Sequence, residues 1–275
     1  MGGVVTIGEV PFPRQAMRDK LEEFSSLYEQ RPIKHNAGGM LAPHMFLAWF
    51  ALSTLKPKAI IESGVWLGQG TWLFEKACPD ADLYCIDLNL DRIRYRSRRA
   101  RYFDRDFSTI DWTGLSKDET VLFFDDHQDA YERLKTAKWF GFKLVIFEDN
   151  YPPGQGDCYS LKQAFAHAGL RFDPAWSGSV KRKYKHAKRR LLAAIGRMRE
   201  VAPTDVDAKY LRQNLDVYYE LPPVFKADRT RFGTPWDDEN YPTAEPLLHA
   251  VEKDYQRQFK DEAAWYTCMC YVRLK

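Results

Sequence analysis

Short apolar runs alternate with longer amphipathic segments between residues 58 and 170. Runs of this kind predict strands, and apolar residues three or four positions apart predict helices. The pattern predicts strands at 59–63, 83–87, 101–104, 120–124 and 143–148. It predicts helices at 70–77, 89–99, 128–140 and 158–168. Strands and helices in alternation indicate an α/β fold with a doubly wound, mostly parallel sheet.

The flanking segments have a different pattern. We predict a helix at 14–30, a buried helix from Met40 to Leu55, strands at 217–220 and 265–274, and an ordered loop at 224–246. These elements divide the chain into four parts. They are an N-terminal helical cap (1–57), a core (58–170), a basic helical insertion (171–216) and C-terminal strands that complete the sheet (217–275).

Composition narrows the class of protein. A chain of 275 residues with 45% hydrophobic positions can bury a large core. Its five cysteines form no disulfide framework, which favours a reduced, cytoplasmic protein. No run of 18 uninterrupted apolar residues predicts a membrane span. The sequence is compatible with a homo-oligomer.

Charge is unevenly distributed. The net charge of +3 does not indicate a general nucleic-acid binder. Residues 180–200 are strongly basic and carry an apolar stripe at helical spacing. This segment is either a solvated helix face or an arm that binds an anionic ligand. Since it contains few aromatic residues, specific nucleic-acid recognition is not expected.

The most informative motif is the glycine-rich turn after the first predicted core strand, Glu62-Ser63-Gly64-Val65-Trp66-Leu67-Gly68-Gln69-Gly70-Thr71. Glycines let a backbone turn sharply and approach a ligand, although such a turn can also be a simple connection. The next strand ends in Asp87, which is placed to bind ribose hydroxyls. An acid before the glycines disfavours a pyrophosphate, so a cationic nucleoside such as S-adenosylmethionine is favoured over NAD. Trp66 fits either a wall of the ligand site or the core.

With these residues in view, the segment from about 58 to 165 resembles the class I S-adenosylmethionine-dependent methyltransferases, most of all the small-molecule and sugar O-methyltransferases. Glu62, Gly64, Gly68 and Thr71 stand at the positions of that family's glycine motif. The resemblance implies a Rossmann-like core and S-adenosylmethionine as cofactor. It also implies that Asp87 binds the ribose and that Asp106, after the third strand, reaches the adenine.

A second polar cluster, Asp125-Asp126-His127, follows the predicted strand at 120–124. A carboxylate paired with an imidazole can deprotonate a hydroxyl. The alternative is that the acids cap the next helix. The resembled family has a similar Asp-x-x-His element with one more residue between acid and histidine. We therefore predict His127 as general base aided by Asp126, and Asp125 as a cofactor-binding residue.

A third cluster, Glu148-Asp149-Asn150, follows the next strand. Successive oxygen ligands suit Mg²⁺ or another divalent cation, whereas Asn and Asp before Pro152 also suit a turn. The resemblance implies that Asp149 holds the ion with Asp126 or Asp125 as its partner, and we predict Asp126.

These patterns together predict an O-methyltransferase that acts on a hydroxyl of a sugar, glycan or other small polyol. Two alternatives stay open. One is a module that binds the cofactor or an anionic polymer without chemistry. The other is a metal-dependent hydrolase that uses Asp125, Asp126, His127 and Asp149.

Overall fold

A single mixed sheet of eight strands organises the protein. The computed structural model describes residues 3–167 and 204–275, so the basic helix predicted at 180–200 lies outside the described residues. The strand order is β1-β7-β8-β6-β5-β2-β3-β4. The strands are β1 (Thr6–Ile7), β2 (Ala59–Ser63), β3 (Asp82–Ile86), β4 (Arg101–Phe103), β5 (Thr120–Phe124), β6 (Leu144–Phe147), β7 (Leu215–Glu220) and β8 (Cys270–Leu274).

The five strands predicted for the core are confirmed, and all of them run parallel. Strand β8 is antiparallel to both β6 and β7, and β1 adds a short antiparallel edge beside β7. The two C-terminal strands therefore lie in the same sheet as the parallel core. The edge strand β1 was not predicted, because two residues are too short to show a strand pattern.

Helices cover both faces of the sheet, as predicted. They are α1 (Arg14–Asp19), α2 (Leu21–Tyr28), α3 (Ala42–Leu55), α4 (Gln69–Ala77), α5 (Ala130–Trp139), α6 (Leu161–Phe165), α7 (Val206–Asn214) and α8 (Arg257–Asp261). Alternate residues of the central strands point to opposite faces: Ile60 and Phe123 pack with α3 and α4, and Ile61 and Phe124 pack with α5. None of the helices in the described ranges is both long and apolar enough to cross a bilayer.

The helix predicted at 89–99 is wrong. Only Leu90–Arg92 forms a short 3₁₀ turn, and the rest is irregular. The reason is that the side chains of Tyr95 and Ser97 both donate hydrogen bonds inward to Glu75. Successive side chains therefore alternate between core and solvent, as in an extended chain, instead of following a helix. Other differences are smaller: Lys20 separates two helices in the segment predicted as one, and the predicted loop at 224–246 contains a single isolated bridge among its described residues.

The topology places a crevice at the carboxyl edge of the sheet. From β2 the chain continues to β3 and β4 on one side, and then returns to β5 and β6 on the other side. Strands β2 and β5 are therefore neighbours whose following loops leave in opposite directions. Open α/β sheets bind ligands at such a switch point.

Candidate functional site

A cavity of about 430 Å³ lies at this switch point. That volume is within the range of small-molecule sites. The lining residues come from the loops after β2, β3, β4 and β5 and from the start of α5, and Gly38 adds a contact from the N-terminal segment. They are Gly38, Ser63, Gly64, Trp66, Ile86, Asp87, Leu88, Arg92, Asp106, Asp125, Asp126, His127, Gln128 and Arg133.

Gly64 forms the floor where β2 meets β5. Its φ of +98° is in the left-handed region, and a Cβ there would lie 2.1 Å from the backbone oxygen of Asp125. Its N–H donates to the carbonyl of Ile86, which ties the turn to β3. Only glycine both adopts this positive φ readily and has no Cβ to clash with Asp125, so the backbone geometry explains the glycine at this position of the motif.

Asp87 and Trp66 shape the next part of the cavity. The Asp87 carboxylate accepts hydrogen bonds from the backbone N–H groups of Trp66 and Asn89, each at 2.9 Å. These bonds fix the carboxylate at the cavity wall and leave lone pairs for a ligand hydroxyl. The Trp66 indole also lies in the lining, with the Arg92 guanidinium 5.1 Å from its ring centre.

Three predicted cofactor residues, Glu62, Gly68 and Thr71, do not line the cavity. Glu62 is buried beneath the first turn of α4, where the Thr71 hydroxyl and the Cys85 thiol donate to its carboxylate. Burial raises the pKa of Glu62 to about 8. Gly68 has φ +93° and packs against the carbonyl of Tyr95. The structure gives these residues a part in holding the turn, and their contact with a cofactor stays a prediction.

Asp106 and Asp126 share one arginine that sequence reasoning missed. Arg133 Nη1 lies 3.0 Å from Asp106 Oδ1, and its Nη2 lies 2.6 Å from Asp106 Oδ2 and 2.8 Å from Asp126 Oδ2. The hydrogen bonds from Arg133 hold the pKa of Asp106 well below its usual range. Ser63 also donates to Asp126 at 2.7 Å. The position of Arg133, one turn into the helix after the acids, was the only sequence signal.

His127 lies at the end of the cavity, but Asp126 is not its acidic partner. The ring Nδ1 is 2.8 Å from Asp149 Oδ2 and 3.0 Å from Asp157 Oδ1. Hydrogen bonds to these two carboxylates raise the pKa of His127 to about 12, so the ring is protonated at neutral pH. The residue has φ +53°, which is uncommon outside glycine. The predicted pairing with Asp126 is therefore corrected to Asp149 and Asp157.

Asp149 belongs to an acidic cluster with Glu148, which is also buried, and Asp125, which is half-buried at the cavity wall. Burial, together with repulsion between the acids, raises the pKa of Asp125 and Asp149, and burial raises that of Glu148. Asp149 Oδ1 is buried and has no hydrogen-bond partner among the described residues. Asp125, His127 and Asp149 each offer one ligand atom, and these atoms lie within 4.8 Å of one another. The donor set fits a hard divalent cation, with Asp125 rather than Asp126 beside Asp149.

The far side of this cluster is formed by His44, Tyr151 and Arg231. His44 Nδ1 lies 2.8 Å from Glu148 Oε1, and burial lowers the pKa of His44 to about 3, so the ring is neutral. Arg231 donates to the Tyr151 hydroxyl at 2.9 Å and lies 4.9 Å from the centre of the Trp265 ring. Sequence reasoning assigned no role to these residues, since they come from three distant segments.

Comparisons with known proteins give structural likeness only. No protein-family model matches the chain, and no curated protein matches it in sequence. One similar solved structure is the plantazolicin methyltransferase BpumL in complex with S-adenosylhomocysteine, at 13% identity and a TM-score of 0.41, covering 95% of this chain and 98% of that one. Another is the O-methyltransferase TomG of Streptomyces achromogenes with bound S-adenosylmethionine, at 15% identity and a TM-score of 0.39, covering 66% and 87%.

The alignment with the protein CmcI is shorter. It has 20% identity and a TM-score of 0.34, and it covers 43% of this chain and 57% of CmcI. The chain thus spans less than two thirds of that protein. At such identities and scores the likeness assigns no function, so the functional argument rests on the topology and on the geometry of the cavity.

Proposed function

We propose that this chain is an S-adenosylmethionine-dependent O-methyltransferase that acts on a hydroxyl of a sugar, glycan or other small polyol. The observation that carries the proposal is the acid-lined cavity at the switch point, with His127 and its carboxylate partner at one end. The sequence resemblance supports the cofactor, because Gly64 and Asp87, which match the family motif, both line this cavity.

The charges of the cavity fit the cofactor. Four aspartates line it, and Arg133 pairs with two of them, Asp106 and Asp126. Asp87 and Asp125 are left to face a ligand, together with the guanidinium of Arg92 beside Trp66. Asp87 would hold ribose hydroxyls, and Asp125, when it is ionised and holds no metal ion, would favour a cationic sulfonium over a neutral or anionic group. S-adenosylmethionine supplies an activated methyl group.

His127 would act on the acceptor hydroxyl. With Nδ1 held by Asp149 and Asp157, Nε2 is the nitrogen that can take the proton. The ring can do so only when it is neutral, so we expect turnover to increase with pH as the imidazolium loses its proton. A divalent cation on Asp125 and Asp149 would supply Lewis acidity that lowers the pKa of the hydroxyl. The remaining task of the site is alignment of donor and acceptor.

The direct test is product formation. Purified protein is incubated with S-adenosylmethionine and a panel of monosaccharides and polyols, and S-adenosylhomocysteine is measured by mass spectrometry. We expect His127→Ala to abolish turnover while calorimetry shows unchanged cofactor affinity. His249→Ala, which changes an exposed histidine, is the control and should keep full activity. Turnover by His127→Ala at the wild-type rate would refute the assigned base.

The grouping of Asp125, His127 and Asp149 also favours a second candidate, metal-dependent hydrolysis. It predicts hydrolysis of an activated phosphate ester that needs Mg²⁺ or Mn²⁺ and is indifferent to S-adenosylmethionine. Cofactor binding without release of S-adenosylhomocysteine from any acceptor in the panel would instead favour a binding module.

A further inference from the structure

The segment from Asp91 to Arg105 is the most basic part of the described chain. It contains seven arginines, no lysine and two aspartates, so it alone carries more positive charge than the whole protein's net +3. All seven arginines are exposed: Arg92, Arg94, Arg96, Arg98, Arg99, Arg101 and Arg105. This asymmetry has no part in the proposed methyl transfer.

The segment is firmly attached to the fold through its other side chains. Ile93 packs against the core, the Tyr95 hydroxyl donates to Glu75, and Ser97 is buried and donates to the same carboxylate. The backbone N–H groups of Arg94 and Tyr95 both donate to the carbonyl of Leu67. Because the inward positions alternate with arginines, the arginines of this stretch share the outward side.

The outward arginines have no acidic partner within the described fold. Among residues 3–167 and 204–275, none of the seven arginines forms an ion pair. Three of them, Arg94, Arg98 and Arg105, have no side-chain hydrogen bond or cation–π contact in these ranges either. Unpaired like charges repel one another, so a surface of this kind is stabilised by an anionic partner.

The position of the arginines separates two explanations. Charged side chains on an edge strand prevent sheets from associating, and β4 is such an edge. However, only Arg101 lies in β4, and the other six flank it. We call the seven arginines the arginine band. This band begins at Arg92 in the cavity wall and extends along the β3–β4 connection to Arg99, whose guanidinium donates to the carbonyl of Ala81 just before β3. It therefore runs along the β4 side of the sheet from the carboxyl ends of the strands to their amino ends, which is more than the protection of one edge strand requires.

We propose that this band binds the phosphate backbone of a nucleic acid without reading its sequence. Arginine forms bidentate hydrogen bonds to phosphate, and outward side chains at every second residue are at most about 7 Å apart, which suits a linear ligand with regularly spaced charges. A membrane is disfavoured, because no large apolar side chain is exposed between Asp91 and Arg105, and Leu88, just before this segment, is a single exposed apolar residue rather than an apolar face. Base recognition is not expected, since Tyr95 and Tyr102 are engaged in hydrogen bonds.

The test measures binding of a fluorescein-labelled single-stranded DNA 20-mer of mixed sequence to the full chain by fluorescence polarisation, from 50 to 300 mM KCl. The test variant carries Arg94→Gln, Arg98→Gln and Arg105→Gln, which leave all anchoring contacts intact. The control variant carries Lys58→Gln, Lys209→Gln and Lys253→Gln, three exposed residues whose loss changes the net charge equally.

We expect the wild type to bind with a strong salt dependence. Three lost phosphate contacts should reduce the slope of log K against log salt by about 2 and weaken binding roughly 100-fold at 0.1 M salt. The control variant should change the slope by less than half as much. Calorimetry with S-adenosylmethionine should be unchanged in the test variant, which shows that the fold is intact.

Three results would overturn the proposal. The first is absence of oligonucleotide binding by the wild type at 50 mM KCl. The second is equal weakening of oligonucleotide binding in the test and control variants, which would show that net charge alone accounts for the binding. The third is arginine-dependent binding to vesicles containing 30% phosphatidylserine without binding to the oligonucleotide, which would identify a membrane surface instead.

Discussion

The buried carboxyl group of Glu62 makes a specific prediction about stability. Its pKa rises from 4.5 to about 8 on folding because the side chain is buried beneath α4. Between these two pH values the folded protein keeps a proton that the unfolded chain has lost. Stability from this group is therefore present at low pH and is lost as pH rises from about 4.5 to about 8.

The magnitude follows from the displacement of the pKa. One pKa unit corresponds to about 1.4 kcal/mol. A shift from 4.5 to about 8 thus corresponds to at most about 5 kcal/mol of lost stability. Glu62→Gln removes the ionisable group and keeps an oxygen that accepts from Thr71 and Cys85. As pH rises from about 4.5 to about 8, the free energy of unfolding of this variant should therefore increase relative to that of the wild type by up to this amount.

The assay is urea unfolding at five pH values, followed by tryptophan fluorescence and circular dichroism. Subtracting the wild-type curve from the variant curve cancels the other titrating groups. Asp80→Asn, at an exposed position, is the control and should give a flat difference. A flat difference for Glu62→Gln as well would refute the assignment of a neutral buried carboxyl.

Three further predictions concern the site. Gly64→Ala should lower the free energy of unfolding by about 3 kcal/mol in thermal denaturation, whereas Gly114→Ala, with open space around it, should change little; equal effects would contradict the backbone argument. Asp149→Asn should lower the pKa of His127 by more than one unit in an NMR titration, since it weakens the hydrogen bond that contributes most to the raised pKa. An unchanged pKa would show that another group raises it. Asp125→Asn should weaken Mn²⁺ binding at least tenfold in electron paramagnetic resonance, and unchanged binding would exclude Asp125 as a ligand.

The apolar pattern was sufficient to predict the parallel core. Strands β2, β5 and β6 are buried on both faces and read as continuous apolar runs. The helix prediction for 89–99 failed because Ile93, Tyr95 and Ser97 point inward at every second position, and their inward contacts hold the backbone in an irregular, extended form.

The candidate site was predicted in its parts but not in its pairings. Consecutive residues after β5 point in different directions, so Asp125 faces the metal-type cluster and Asp126 pairs with Arg133. Sequence order gives no information on that division. It also cannot place His44 or Arg231 beside Glu148 and Asp149, because the contacts join residues far apart in the chain.

Cofactor binding is the measurement on which the account depends most directly. Calorimetric titration with S-adenosylmethionine should show one site per chain. Asp87→Asn should weaken binding at least tenfold, or about 1.4 kcal/mol, because the carboxylate that accepts ribose hydroxyls is lost. Asp91→Asn, at an exposed position outside the cavity lining, should leave binding unchanged. Absence of binding by the wild type, or equal affinity of the wild type and Asp87→Asn, would contradict the proposed function.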